Sequence, residues 1–245
     1  MRQYVFIGLL AVVFILGIAT RDLINAGEAD AYVYTSLPAV DQNVAYAEQN
    51  DTATSTSFSI NVGSSSNQML IVTMGAGGYG QDTSATACGQ TMTKVTLPGP
   101  GNEEYYDYWY LLSPPQGNCN VKINYPSSTA RQYGAVVIDN VNQTSPFGTG
   151  VHVGGNGGNP SATVTPGEAN DLILYWLDYD DRVTNLVYTP NDDTLYWAKN
   201  DASGNTLGNK GALHLQSSSS TVSVGGTASG NGPWDLMAIP IRPAN

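Results

Sequence analysis

Beyond residue 54 the chain alternates apolar and polar side chains with a period of two, in short runs cut by turn formers. The run at 55–62 shows it plainly: Phe58, Ile60 and Val62 alternate with Ser57, Ser59 and Asn61. In an extended chain successive side chains point to opposite faces, so such a run has one apolar and one polar face and reads as a half-buried strand. Comparable segments occupy 68–74, 91–96, 105–112, 119–125 and 133–139, then 161–165, 171–179, 186–189, 194–198, 212–216, 221–224 and 235–241. Clusters of glycine, proline and serine at 75–78, 98–100, 154–158 and 217–220 separate them. Pro114, Pro115 and Pro146 fall between strands, where a missing amide donor costs no ladder bond. No amphipathic helical stripe follows residue 31. The pattern predicts an all-β protein, a two-sheet β-sandwich with jelly-roll-like connections. No long linker divides it, so 49–245 reads as one domain, preceded by an extension at 31–48 and an apolar leader within 1–30.

Charge narrows the partners. Charged residues are 12% of the chain, about half the usual share and too few to solvate many helix faces. Twenty acidic residues against nine basic ones give a net charge of −11, which repels phosphate backbones and argues against nucleic acid. The same acidity suits solubility, cation binding or a saline exterior.

The N-terminus points outward. Met1-Arg2-Gln3 is a short basic start before an apolar run at 4–19. That run is long for a signal-peptide core and short of the roughly 20 residues that span a bilayer. Gly17 with Ala19, and Ala29 with Ala31, offer small residues for cleavage. Either a cleaved signal or a retained anchor or assembly helix takes the chain out of the cytosol, to the cell surface or beyond. Cys88 and Cys119 suit that compartment, where two cysteines more often pair than stay reduced. Closing their loop of about 30 residues contributes roughly 3–4 kcal/mol in the chain-entropy account. Asn50 and Asn142 open Asn-x-Thr triplets, the acceptor pattern for N-glycosylation.

Candidate chemistry is sparse. His152 falls in a glycine-rich stretch read as a loop, and His214 alternates with Leu213 and Leu215 on a strand. Neither sits in a serine or cysteine motif, two histidines do not make a zinc site, and Gly75–Gly80 lacks the Lys-Ser/Thr ending of a phosphate loop. The expectation is therefore that the chain is not an enzyme. Asp178, Asp180, Asp181, Asp192 and Asp193 flank a strand and a loop. They read either as a calcium site, since that ion takes six to eight oxygen ligands, or as solvated loop carboxylates. In 103–112 alternation puts Tyr106, Tyr108 and Tyr110 on one face and Trp109 and Leu111 on the other. Those tyrosines read as an aromatic contact face for glycans or another subunit, or as cross-strand packing. Finally Tyr32, Val33, Tyr34, Thr35 and Ser36 read as an extra strand, paired with its own sheet or offered to a neighbouring copy.

Several of these pieces together resemble a family of exported, mostly uncharacterised bacterial and archaeal β-sandwich surface modules. The resembling segments are Ser64–Asn67 leading into 68–72, Cys88 to Val95, Trp109 to Leu112 with Pro114-Pro115-Gln116-Gly117, Val141 to Pro146, Gly167 to Ile173, and 234–243. The resemblance covers roughly residues 55–243 and implies a sandwich and an exterior location; its motifs are turns and core strands. More loosely, a leader, a strand and a sandwich are similar in architecture to filament subunits joined by strand exchange. The function expected on these grounds is an extracellular structural subunit of a filament, pilus-like fibre or coat, assembling with copies of itself. A carbohydrate-binding or adhesive module, and a virion coat or spike protein, are the alternatives.

Overall fold

In the computed structural model the described residues are 37–48, 54–76, 82–97, 107–125, 131–180, 187–191, 193–200, 207–215, 218–230 and 232–245. All but Asn245 fall within one compact unit. Among the described residues there is no helix, and every strand pairing is antiparallel.

The strands of the first half are β1 (Ala39–Glu48), β2 (Ser55–Val62), β3 (Met69–Ala76), β4 (Ser84–Ala87), β5 (Gln90–Thr91), β6 (Thr93–Thr96), β7 (Asp107–Leu112), β8 (Gly117–Asn124) and β9 (Arg131–Asp139). They form an inner sheet of order β1-β9-β3-β7-β6 and an outer sheet of order β2-β8-β4-β5. The second half contains β10 (Val151–Asn156), β11 (Ser161–Val164), β12 (Leu172–Asp180), β13 (Tyr188–Pro190), β14 (Thr194–Asn200), β15 (Leu207–Leu215), β16 (Val222–Ala228) and β17 (Pro233–Ile241). Its inner sheet runs β10-β17-β12-β15-β14 and its outer sheet β11-β16-β13. Replacing each strand by its counterpart, β1 by β10, β3 by β12, β6 by β14, β7 by β15 and β9 by β17, turns one inner sheet into the other. The outer sheets correspond in the same way, except that among the described residues β5 has no counterpart. The expected two-sheet jelly roll is present, and it occurs twice.

Register supports the repeat residue by residue. Met69 opens β3 and pairs with Leu112 and Ile138; Leu172 opens β12 and pairs with Leu215 and Ile241. Two residues before each of these sits an asparagine in the left-handed region, Asn67 at φ 51° and Asn170 at φ 70°, a conformation asparagine tolerates better than most residues. Between asparagine and strand lies a buried polar residue, Gln68 in one half and Asp171 in the other. Gln68 Nε2 donates to Asp139 Oδ1 at 2.9 Å. Asp171 Oδ2 accepts from the amides of Gly167 and Glu168 at 2.9 and 3.3 Å.

Side-chain parity then builds a stack of four layers. On β3, Leu70, Val72 and Met74 face the first outer sheet and meet Phe58, Ile60, Val121 and Ile123. Met69 and Ile71 face the other way, with Tyr108, Val136 and Ile138, against Leu172, Leu174, Trp176, Met237 and Ile239 of the second inner sheet. On β12, Ile173, Tyr175, Leu177 and Tyr179 face the second outer sheet and meet Ala162, Val164 and Val224. Both inner sheets are covered on both faces, which is why 69–72 and 172–177 read as near-continuous apolar runs rather than clean alternation. The outer strand β2 alternates strictly, exposing Ser57, Ser59 and Asn61 between buried Phe58, Ile60 and Val62.

The sequence reading left 31–48 outside the sandwich. Ala39–Glu48 in fact pairs along β9 from Ala39↔Asp139 to Glu48↔Arg131 and is an edge strand of the first inner sheet. A register shift between Val40 and Gln42 breaks the period that would have marked it.

Two consequences are measurable. Gly225 lies at φ +144°, and a Cβ there would stand 2.2 Å from the Pro160 carbonyl oxygen. Gly225→Ala is expected to lower unfolding free energy by about 1–3 kcal/mol in denaturant titration. Burial pushes the Asp171 carboxyl above its ordinary range, opposed by the two backbone amides and by Arg242. A group raised in the folded state stabilises it only while protonated, so Asp171 costs stability once pH rises through its native titration. Asp171→Asn, an amide like Gln68, should match wild type at about pH 3 and exceed it near neutrality in thermal melts.

Candidate functional site

Tyr175 places a hydroxyl in the apolar layer between β12 and the second outer sheet, and a buried donor needs a partner. It donates to Asp193 Oδ2 at 2.7 Å. Asp193 immediately precedes β14, and its Oδ1 lies 2.6 Å from His214 Nδ1. His214 pairs with Ile173 across β12 and β15 and therefore points to the same face as Tyr175. The Asp193 side chain is 5% exposed and the His214 side chain 26%. An ionised carboxylate only accepts, so His214 Nδ1 carries the hydrogen. In the neutral ring Nε2 then keeps its lone pair, and it meets no hydrogen-bond partner among the described residues.

Two tyrosines back this pair. Burial first, then the hydrogen bond to Asp193, hold the Tyr175 hydroxyl far above its usual ionisation range, so it stays a neutral donor. Tyr188 on β13 is also raised, by burial and then by the Asp193 charge. Its interaction with the Tyr175 hydroxyl acts the other way. The second histidine, His152, is the second residue of β10, with Nε2 2.7 Å from Asp235 Oδ1. Its side chain is 1% exposed. The sequence reading put His152 in a loop because of the glycines that follow. Gly154 and Gly155 continue the strand, and a Cβ on Gly155 would lie 2.4 Å from the Trp234 ring, so the glycine makes room for the indole.

The sequence-predicted sites fare unevenly. Cys88 and Cys119 form a disulfide, with Cα atoms 4.6 Å apart. Cys88 and Gly89 are the two turn residues between β4 and β5, at φ 52° and 75°, a pair of left-handed positions typical of two-residue hairpins. The bond ties that hairpin to β8, where Cys119 is 1% exposed. The aromatic contact face is corrected. Tyr108 is 2% exposed and lies edge-on to Trp176, ring centroids 5.7 Å apart, and to Phe147 at 5.5 Å. Tyr110 meets Phe147 edge-on at 4.9 Å. Because β7 lies between β3 and β6 in an inner sheet, both its faces are covered. Tyr106 lies outside the described residues.

The calcium cluster is corrected at its two described side chains. Asp178 shares the Trp176 face of β12, toward the other half, and accepts from the Tyr179 amide at 3.1 Å. Asp193 lies on the Tyr175 face, so the sheet itself separates the two carboxylates. The Asp180 side chain, Asp181 and Asp192 lie outside the described residues. Among the described residues no three His, Cys, Asp or Glu side chains gather as metal ligands. Asn142 is half-buried, and its Oδ1 accepts from the Thr144 and Ser145 amides at 3.0 and 2.9 Å, folding its triplet into a turn. Asn50, the extra strand expected at Tyr32–Ser36 and the run at 4–19 lie outside the described residues.

Sequence reasoning missed Tyr175, Tyr188 and Asp235. The available signal was a lone hydroxyl in the run Leu172-Ile173-Leu174-Tyr175-Trp176-Leu177, since a buried tyrosine oxygen asks for a partner.

No protein-family model and no curated protein matches the chain. Among solved structures it is similar to oxalate decarboxylase in a study of a structural element that modulates proton-coupled electron transfer, at 10% identity and TM-score 0.20, over 85% of this chain and 78% of that one. It is also similar to oxalate decarboxylase from Bacillus subtilis at pH 4.6, at 10% identity and TM-score 0.17, over 91% and 80%. Those chains are enzymes, and on this finding the expectation that the present chain is not one is withdrawn. At TM-scores this low the likeness assigns no activity in its place.

Reducing the Cys88–Cys119 bond should lower stability by about 2–5 kcal/mol in denaturant titrations with and without reductant. Tyr108→Ala should cost about 3–5 kcal/mol by the same measurement, as expected of a core aromatic.

Proposed function

We propose that the chain is an extracellular structural building block of a surface assembly, a filament, pilus-like fibre or coat, made of copies of itself. The observation that carries this is the chemistry of the two outermost faces. The first outer sheet exposes Ser57, Ser59, Asn61, Asn118 and Asn120, with Lys122. The second exposes Ser161, Thr163, Ser223 and Thr227. These residues run in cross-strand rows, Ser59 opposite Asn120 and Asn61 opposite Asn118, and Ser161 Oγ lies 2.9 Å from Ser223 Oγ. Short hydroxyl and amide side chains on a pleated surface lose little rotamer freedom and offer both donors and acceptors. A stack with such a face at each end presents two contact surfaces of mostly uncharged polar side chains.

The disulfide fits an oxidising exterior, as does the resemblance to exported surface modules. In this reading residues 32–36 would add to a sheet edge of a neighbouring copy, with main-chain hydrogen bonds setting the register. Electron microscopy and light scattering of the purified chain are expected to show ordered polymers. Ser59→Asp with Asn120→Asp should shift them toward monomers by placing like charges opposite each other, and deleting 32–36 should do the same. A wild-type chain that stays monomeric at high concentration would reject this reading.

A further inference from the structure

The tandem repeat supplies an internal comparison. By register, Val72 stands where Tyr175 does, Leu111 where His214 does, and Met92, just before β6, where Asp193 stands just before β14. All three first-half residues are apolar and buried in the first core. The jelly roll thus closes at these positions without any polar group. The second half has instead a hydrogen-bonded chain of Tyr175, Asp193 and His214, with the buried Tyr188 hydroxyl beside it. Replacing three apolar side chains by a carboxylate, an imidazole and a phenol in a sheet gap costs desolvation that packing does not return. The first half also buries a carboxylate with a phenol, Asp82 beside Tyr133, but no imidazole, so it is the imidazole that calls for a reason other than folding.

The geometry states what that reason can be. Asp193 fixes the imidazole through Nδ1, leaving Nε2 as an oriented proton acceptor at the partly open edge of the layer. His214 is the one histidine with this arrangement, since Nε2 of His152 is held by Asp235 on a side chain 1% exposed. We propose that His214 is the general base of a hydrolytic site that acts on small neutral carboxylic esters, with Asp193 and Tyr175 as positioning residues. A neutral substrate follows from the charges. Asp193 lies directly behind the ring, both tyrosines are uncharged, and among the described residues no cation is hydrogen-bonded to the network to receive an anion. In the step, Nε2 takes a proton from a water as the water oxygen bonds to the carbonyl carbon. The tetrahedral adduct then breaks its bond to the leaving oxygen, which departs with that proton. Ester and water become acid and alcohol, and the ring returns to its neutral form. Asp193 stabilises the transient imidazolium, and Tyr175 holds the carboxylate in place.

The test uses the full chain and p-nitrophenyl acetate, a neutral ester, with release of p-nitrophenolate followed across a pH series. The expected result is saturable hydrolysis faster than that of imidazole at equal concentration. Its rate should fall as the pH is lowered, because protonation of Nε2 removes the proton acceptor. His214→Leu, which installs the residue of the first half, should keep the melting temperature and lose about 100-fold in rate. His214→Gln provides the same comparison if the leucine variant does not fold. Asp193→Asn should lose rate and move the pH profile, a change that a purely structural role would not produce, and His152→Gln should hydrolyse like wild type. Hydrolysis no faster than imidazole, or an unchanged rate in either folded His214 variant, would overturn the assignment. The outcome does not depend on whether the chain polymerises.

Discussion

The contact between the two inner sheets is the interaction on which the rest of the molecule depends. Met69, Ile71, Tyr108, Val136 and Ile138 from one half meet Leu172, Leu174, Trp176, Met237 and Ile239 from the other. Once that seam forms, each inner sheet is apolar on its far face as well and needs an outer sheet to cover it. The four-layer order follows from that requirement. It also explains the fate of the tyrosines on β7, whose strand lies in the middle of a covered sheet, so their rings pack edge-on against Phe147 and Trp176 rather than facing a partner.

Two copies of one topology have been finished differently. The first half carries the extra strand β5 and the disulfide that ties its hairpin to β8. Its interior at Val72, Met92 and Leu111 is apolar throughout. Among the described residues the second half shows no such extra strand, it contains no cysteine, and its corresponding positions hold the Tyr175, Asp193 and His214 chain. The first half nevertheless keeps a buried polar pair of its own, since Asp82 is 1% exposed and accepts from the Tyr133 hydroxyl at 3.4 Å.

Much of the fold was legible because alternation is a local property. Phe58, Ile60 and Val62 mark a strand and its buried face without reference to any neighbour. The all-β class and most strand positions could be read this way, and the Cys88–Cys119 pairing followed from two cysteines in a chain read as exported. The repeat could not, because its halves agree in register and parity more than in residue type. Gln68-Met69-Leu70-Ile71-Val72 and Asp171-Leu172-Ile173-Leu174-Tyr175 match in pattern only. The candidate site was harder still: His214, Asp193 and Tyr175 come from three separate segments, and sequence spacing says nothing about which face of a sheet a turn residue such as Asp193 reaches.

The sequence by itself determined which segments extend, where turns cut them and which side of each outer strand is apolar, since side-chain alternation and backbone preference act over a few residues. Only the tertiary structure decided that two sandwiches stack rather than one, that Asp178 and Asp193 lie on opposite faces of a sheet, and that a histidine, a carboxylate and a phenol meet in one half alone. Those outcomes depend on which strands become neighbours, and pairing between distant strands is fixed by how whole faces bury together, a quantity no short window of residues contains.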